Sequence, residues 1–284
     1  MLRRSLFCLL CLCLCFAQAK ALNRAASSEE AQRFSRSKTY LVLSGDNMIL
    51  DAYLKEAMTE VWKMTPFEIT DLQGFSRLKK DTTASFLLAT TETFASKSSA
   101  EYIYLNLLLG EKSAQKIGDL PEIAGIPFSS VNQEKDPKYY LVPSLLKFLQ
   151  QHARQIQQKS VWEFFRLDFD KRLNYYNRFN KDLKDKTLYI DAADIDPKVS
   201  GESLLLYFGK RLVHASEKEL AQISRTNSDT VLIAYSILSF NLVISPSSGK
   251  LLYFSGAPGR ATQAFVDKDF KVIYQNMRER KNFY

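Results

Sequence analysis

Beyond residue 15 the chain has no cysteine: Cys8, Cys11, Cys13 and Cys15 share one apolar run near the N-terminus, and the following 269 residues contain none. The bulk of the protein therefore has no disulfide framework, thiolate metal site or cysteine nucleophile. Histidine is nearly as scarce. With only His152 and His214, a three-ligand zinc site would need carboxylates brought together by folding. His152 falls in a polar stretch of an expected helix and His214 in an expected buried strand; neither has a catalytic signature around it. GxSxG, HExxH, P-loop and GxGxxG patterns are all missing. Residues 255–260 (SGAPGR) share only glycine content with a phosphate loop, since Pro258 interrupts them and no Lys-Ser/Thr pair follows. After residue 21 no long uninterrupted apolar stretch occurs, so no transmembrane helix is expected in the mature chain.

The cysteine-bearing run reads as a secretory signal over residues 1–21. Arg3 and Arg4 form a charged start, residues 6–16 an apolar stretch, and Ala17-Gln18-Ala19 or Ala19-Lys20-Ala21 a cleavage site. Eleven apolar residues fall short of the roughly 20 that span a bilayer as a helix. Leucines precede Cys11, Cys13 and Cys15, where a lipoprotein signal would have a small residue. The mature product is expected to be exported: periplasmic, envelope-associated or secreted. Cleavage after Ala21 leaves 36 basic and 31 acidic residues, lowering the net charge from +8 to +5. Nucleic acid is disfavoured as a partner by export. An envelope protein or an acidic glycan fits better.

The remaining chain is 46% hydrophobic over the full sequence, enough for a core held by packing alone. Residues 22–37 are polar and read as a flexible lead-in. Residues 38–135 form a first α/β half, with strands over 39–44, 67–70, 84–91 and 102–109. Asn47 and Asp71 stand where helices of apolar period 3.6 begin. Residues 136–185 form a helical connector. In it, Pro143 suits a first helical turn, Leu145, Leu146, Leu149, Ala153 and Ile156 make one stripe, and Trp162, Phe165, Phe169 and Leu173 make another. Residues 186–284 repeat the order of the first half about 148 residues later.

That repeat is the strongest organisational signal. Residues 186–190 (KTLYI) match 38–42 (KTYLV), and residues 67–91 slide without a gap onto 212–236. The slide sets Asp71 on Ser216, which forms a capping box with Glu219, and Phe86-Leu87-Leu88-Ala89 on Val231-Leu232-Ile233-Ala234. A hairpin around Pro246-Ser247-Ser248-Gly249 adds antiparallel strands. The expected class is α/β, with a mixed α+β sheet also open: two similar β-α-β-α-β halves with added antiparallel strands.

Asp191, Asp194 and Asp196 follow the strand 188–190, at the strand end where open α/β sheets bind ligands, and oxygen-rich loops suit Ca²⁺ or Mg²⁺. They are the candidate metal ligands, although the EF-hand Gly and distal Glu are missing and aspartates also fill turns. No cofactor is expected. Tyr175, Tyr176, Arg178 and Phe179 form an aromatic and basic cluster that reads as a candidate interaction surface.

Tyr176-Asn177-Arg178-Phe179-Asn180 followed by residues 183–190, the strand 249–254, residues 265–271 and the run Thr65-Pro66-Phe67-Glu68 resemble an uncharacterised family of exported Bacteroidota proteins. The resemblance implies that source group and a cell-envelope address; it brings no activity or site residues. The expected function is a non-enzymatic envelope or secreted protein whose ligand sits in the groove between the halves. The alternatives are a hydrolase of glycan or peptide with two carboxylates facing each other at roughly 5–10 Å, and a structural subunit of an envelope complex marked by a large apolar surface.

Overall fold

The first strand of the computed structural model, β1 (Lys38–Leu43), buries Thr39, Leu41 and Val42 and half-buries Lys38, Tyr40 and Leu43, as a central strand covered on both faces does. The structure describes residues 24–93, 101–131, 137–157, 177, 182–237, 239–256 and 264–278. Helix α1 (Ser28–Phe34) precedes β1. The first half continues with α2 (Met48–Val61), β2 (Phe67–Asp71), α3 (Leu72–Leu78), β3 (Ala84–Thr93), β4 (Glu101–Leu109) and β5 (Glu122–Ser130). After α4 (Val142–Ile156) come β6 (Thr187–Ile190), α5 (Gly201–Phe208), β7 (Leu212–His214), α6 (Glu217–Ile223), β8 (Val231–Ile237), β9 (Phe240–Ile244), β10 (Leu251–Gly256) and α7 (Asp267–Arg278).

The strands form two five-stranded sheets of one topology. The first runs β2-β1-β3-β4-β5 and the second β7-β6-β8-β9-β10. In each, the first three strands are parallel and the last two antiparallel. The expected α/β class and internal duplication are both present, with α4 in the connection.

Caps stand where the sequence placed them. Asn47 accepts from the Leu50 amide at 2.9 Å, Asp71 from the Gly74 amide at 2.7 Å, and Ser216 and Glu219 form the capping box of α6. Pro143 lies in the first turn of α4.

One alignment needs correcting. Tyr40 pairs with Phe86 and Thr187 with Val231. Since Phe86 and Val231 are equivalent in the gapless slide, these ladders set Tyr40 on Thr187, whereas the pairs Thr39–Phe67 and Leu188–Leu212 set it on Tyr189; neither sets it on Leu188. Matching Lys38 with Lys186 is thus one residue out, and a one-residue slip exchanges the faces of a strand. The faces agree with either ladder: Leu41, and Leu188 with Ile190, face the side covered by the crossover helix between the first two strands of their half.

Residues 28–34, expected within a flexible lead-in, form α1 instead. Ser27 and Glu30 make a capping box, and Ala31 and Phe34 are fully buried. Strand β5 carries Gly125 and Pro127, both poor strand residues. Its edge position tolerates the proline, a register shift lies beside it, and Gly125 leaves room for the Asn106 side chain opposite.

The halves share a core. One cluster joins Phe34, Leu54, Met58, Leu105, Phe128, and Leu145 and Leu149 of α4 to Leu220 of α6 and one face of the second sheet, from Ile233 and Tyr235 to Leu242 and Ile244. The opposite face of that sheet packs under α5 and α7 through Leu188, Leu232, Phe208, Phe270 and Ile273. The opposite face of the first sheet packs under α3 through Phe86, Leu88 and Leu108. Polar ties reinforce the shared core: the Tyr102 hydroxyl lies 2.7 Å from Ser239 Oγ, and its ring packs on Phe240.

Candidate functional site between the halves

In each sheet the two crossover helices lie on opposite faces, α2 against α3 and α5 against α6. The crevice that doubly wound folds use for ligands is therefore at the carboxyl ends of β1 and β3, and of β6 and β8. In the second half that position is filled from within. Asp194, in the turn after β6, is only 5% exposed. Its Oδ2 forms an ion pair with Lys138 and accepts the Ser236 amide of β8 at 3.2 Å. Its main chain is locked to Phe265 ahead of α7 by a bond of 2.7 Å from the Phe265 amide.

The other two candidate metal ligands are engaged separately. Asp191 caps its own turn by accepting the Ala193 amide at 2.9 Å, and Asp196 accepts the Lys198 amide at 2.8 Å. Among the described residues no group of three or more His, Cys, Asp or Glu side chains converges on a common point. The turn chemistry of aspartate accounts for Asp191 and Asp196, and Asp194 ties the connector to the second half.

A second buried carboxylate, Asp269, is likewise saturated. Its Oδ1 accepts the Tyr253 and Ser255 hydroxyls at 2.6 and 2.8 Å, and its Oδ2 accepts Asn241 Nδ2 and the Val266 amide, each at 3.0 Å. With four donors supplied, Asp269 fastens α7 to the second sheet.

The histidines exchange their expected settings. His152 is buried on α4 with its ring 5.7 Å from Phe148, whereas His214 is exposed because β7 is a short edge strand. Tyr175, Tyr176, Arg178 and Phe179 lie outside the described residues. Asn177 between them is described: its amide pairs with both main-chain groups of Phe254 on β10, at 2.9 and 2.8 Å. Large exposed apolar side chains are spread over the described surface: Met48 and Ile49 on α2, Ile69 on β2 and Leu72 at the start of α3, Ile117, Val131, and Leu205 and Leu206 on α5.

Among the described residues an open cavity lies where the halves meet. It is a solvent-open depression of about 640 Å³ between the end of α2, α4, the segment before β8 and the β9–β10 turn. Helix α4 supplies Lys147, Gln150, Gln151 and Arg154, at the i, i+3, i+4 and i+7 positions that share one helical face. Glu60 and Lys63 come from the first half; Asn227, Ser247 and Ser248 come from the second.

Each wall is fixed by specific contacts. Gln150 Nε2 donates to the Val61 carbonyl at 2.9 Å and Gln150 Oε1 accepts the Lys63 amide at 2.8 Å, which closes the end of α2 and places Lys63 at the rim. Gly249, at φ +70°, lets the turn lie against α4: a Cβ there would come within 2.4 Å of the Lys147 main chain. Lys147 Nζ donates to the Pro246 carbonyl at 2.8 Å. Burial pushes the Lys147 pKa down; Glu60 opposes that shift and Lys63 adds to it. Three cations thus face a single carboxylate.

Sequence reading expected a ligand in the groove between the halves but named none of these residues as its lining. Periodicity revealed the apolar stripe of α4. The polar stripe beside it was visible at the same spacing, yet only the folded chain turns it toward a second sheet.

No family model, no curated protein and no solved structure matches this chain.

Proposed function

We propose that this chain is an exported, non-enzymatic binding protein of the bacterial cell envelope, of the Bacteroidota type its motifs resemble, and that its ligand occupies the cavity between the two halves. The observation that carries the reading is the cavity itself. It is large enough for a small molecule, in the range of about 300–1,000 Å³ typical of such sites, and residues of both halves build it. A ligand held there bridges both halves. The hydrolase alternative asks for two carboxylates across a cleft, and the described lining contains one, Glu60. The carboxylates at the second half's strand-end crevice and beneath α7 are consumed by Lys138, Ser236, Tyr253, Ser255 and Asn241.

Two measurements test the reading. Expression with the native leader in a Gram-negative host, followed by fractionation and N-terminal sequencing, should recover a chain beginning near Lys20 or Leu22 outside the cytoplasm; an uncleaved cytoplasmic product would sink the envelope assignment. Thermal-shift screening against soluble glycans, cell-wall peptides and metabolite acids should yield compounds that raise the melting temperature and return chemically unchanged. Recovery of shortened glycan or peptide would instead establish the hydrolase.

A further inference from the structure

The outer face of the second half carries apolar surface that the fold does not use. Helices α5 and α7 lie side by side on one face of the second sheet: Leu204, Phe208, Phe270 and Ile273 are buried there, and the Tyr207 and Tyr274 rings meet at 5.1 Å. Leu206 is two residues from both Leu204 and Phe208, so at about 100° per residue it points away from the sheet, with Leu205 beside it. The two are 74% and 67% exposed. Their setting differs from that of α2, the equivalent crossover helix of the first half, which α4 covers within the shared core.

Charge selects the partner for this face. Lys268 and Lys271 are exposed one turn apart on α7, on the side turned from buried Phe270 and Ile273. Lys198 and Lys210 are exposed just before and just after α5. The carboxylates are Glu202, in the first turn of α5 where it complements the helix dipole, and Asp267, which accepts the Tyr207 hydroxyl. Other exposed apolar residues lack these cations: Met48 and Ile49 follow Asp46, and Ile69 is flanked by Glu68 and Asp71. The sequence past α7 adds Arg280, Lys281, Phe283 and Tyr284, basic and aromatic types that gather at membrane interfaces.

We infer that the face of α5 and α7 docks the protein on the anionic phospholipid surface of a membrane. Leu205 and Leu206 enter the boundary between headgroups and acyl chains, and the lysine ammoniums stay at the lipid phosphates. Two leucines and a few lysines give reversible attachment rather than a permanent anchor. The cavity is lined by α4, which packs on the opposite face of the second sheet, so docking leaves it open and the cavity reading stands or falls separately.

Vesicle flotation tests the inference, using the chain without residues 1–21, whose apolar run would bind lipid by itself. Partitioning onto vesicles of equal parts phosphatidylglycerol and phosphatidylcholine should exceed that onto phosphatidylcholine alone by about tenfold or more, and should weaken as salt is raised. Leu205→Ser with Leu206→Ser, and separately Lys268→Gln with Lys271→Gln, should each weaken it by about tenfold or more. All four residues are exposed, so melting temperatures should stay unchanged. Lys55→Gln with Lys80→Gln removes as much charge from exposed positions of the first half and should leave partitioning nearly unchanged.

Failure to float with the mixed vesicles, equal flotation with both compositions, or indifference to either the leucine pair or the lysine pair would overturn the inference. So would a dimer in sedimentation that Leu205→Ser with Leu206→Ser breaks apart, since the face would then belong to a second copy of the chain.

Discussion

Lys138, just ahead of α4 in the connector, and Asp194, in the turn after β6, form an ion pair between the connector and the second half, with side chains only 16% and 6% exposed. Asp194 also receives the Ser236 amide, so its carboxylate closes the second half's crevice and ties the connector to that half at once. A buried pair of this kind is weak as a source of net stability but costly to break. Asp194→Ala strands the Lys138 ammonium and the Ser236 amide, and should cost about 3–5 kcal/mol in urea unfolding. Lys138→Met should cost a similar amount. Lys138→Met with Asp194→Leu should recover most of the loss, because no unpaired charge remains; a double variant as unstable as the sum of the singles would show that the two residues act independently.

Gly249 is the hinge of the contact between the β9–β10 turn and α4. Its φ of +70° is left-handed backbone, and an added Cβ would meet the Lys147 main chain. Gly249→Ala should destabilise the chain by about 2–4 kcal/mol, combining backbone strain and overpacking. Because Ser247 and Ser248 ride on the same turn, ligand binding in the cavity should weaken in the variant even where it remains folded. Unfolding midpoints compared with titrations on the same preparation would expose any separation of the two effects.

Legibility of the fold tracked how local its causes are. Asn47, Asp71, Ser216 and Glu219 announce helix starts through side chains that act within three residues, and the repeated order of elements announces two matching sheets. Where the cause is distant, the sequence is mute. Gly125 and Pro127 make β5 look like a loop until Asn106 is set opposite and the edge position is known. Residues 28–34 look soluble until Phe34 is buried in the shared core. Asp191, Asp194 and Asp196 look alike in sequence, and only folding gives Asp194 a lysine 56 residues away. The cavity lining is drawn from four separated segments, so no window of sequence holds it.

Three buried phenols set the alkaline limit of stability. Burial raises the pKa values of Tyr140, Tyr235 and Tyr253, and Asp194 and Asp269 add to the effect at Tyr140 and Tyr253 respectively. The folded chain then holds protons that the unfolded chain releases near the ordinary phenol pKa of about 10. Stability from these groups is complete below that pH and is lost as pH rises above it toward the folded values. Lys147, whose pKa burial lowers, works in the opposite sense below about 10.5. Melting temperatures should therefore fall steeply above pH ~10. At neutral pH the phenols differ: the Tyr235 hydroxyl is buried without a partner, so Tyr235→Phe should be neutral or stabilising by up to ~1 kcal/mol, whereas Tyr253→Phe loses its 2.6 Å bond to Asp269 and should cost about 1.5–3 kcal/mol. Equal effects of the two substitutions would contradict this assignment.

The second half should not fold alone, despite having its own five-stranded sheet. Ile233, Tyr235, Phe240, Leu242 and Ile244 are fully buried, and their cluster includes α1, α2, α4 and the first sheet. Cutting before β6 would uncover that face. At about 1.5–3 kcal/mol for each large apolar side chain, the loss would be roughly 10 kcal/mol, comparable with the entire stability of a typical domain. Residues 186–284 expressed alone should aggregate or bind hydrophobic dyes without a cooperative melting transition. Mixing them with residues 22–185 should restore a single cooperative transition, since the missing face is then supplied in trans. A sharp, independent melt for the isolated piece would mean that α6 and the sheet suffice and that the shared core contributes contact without necessity.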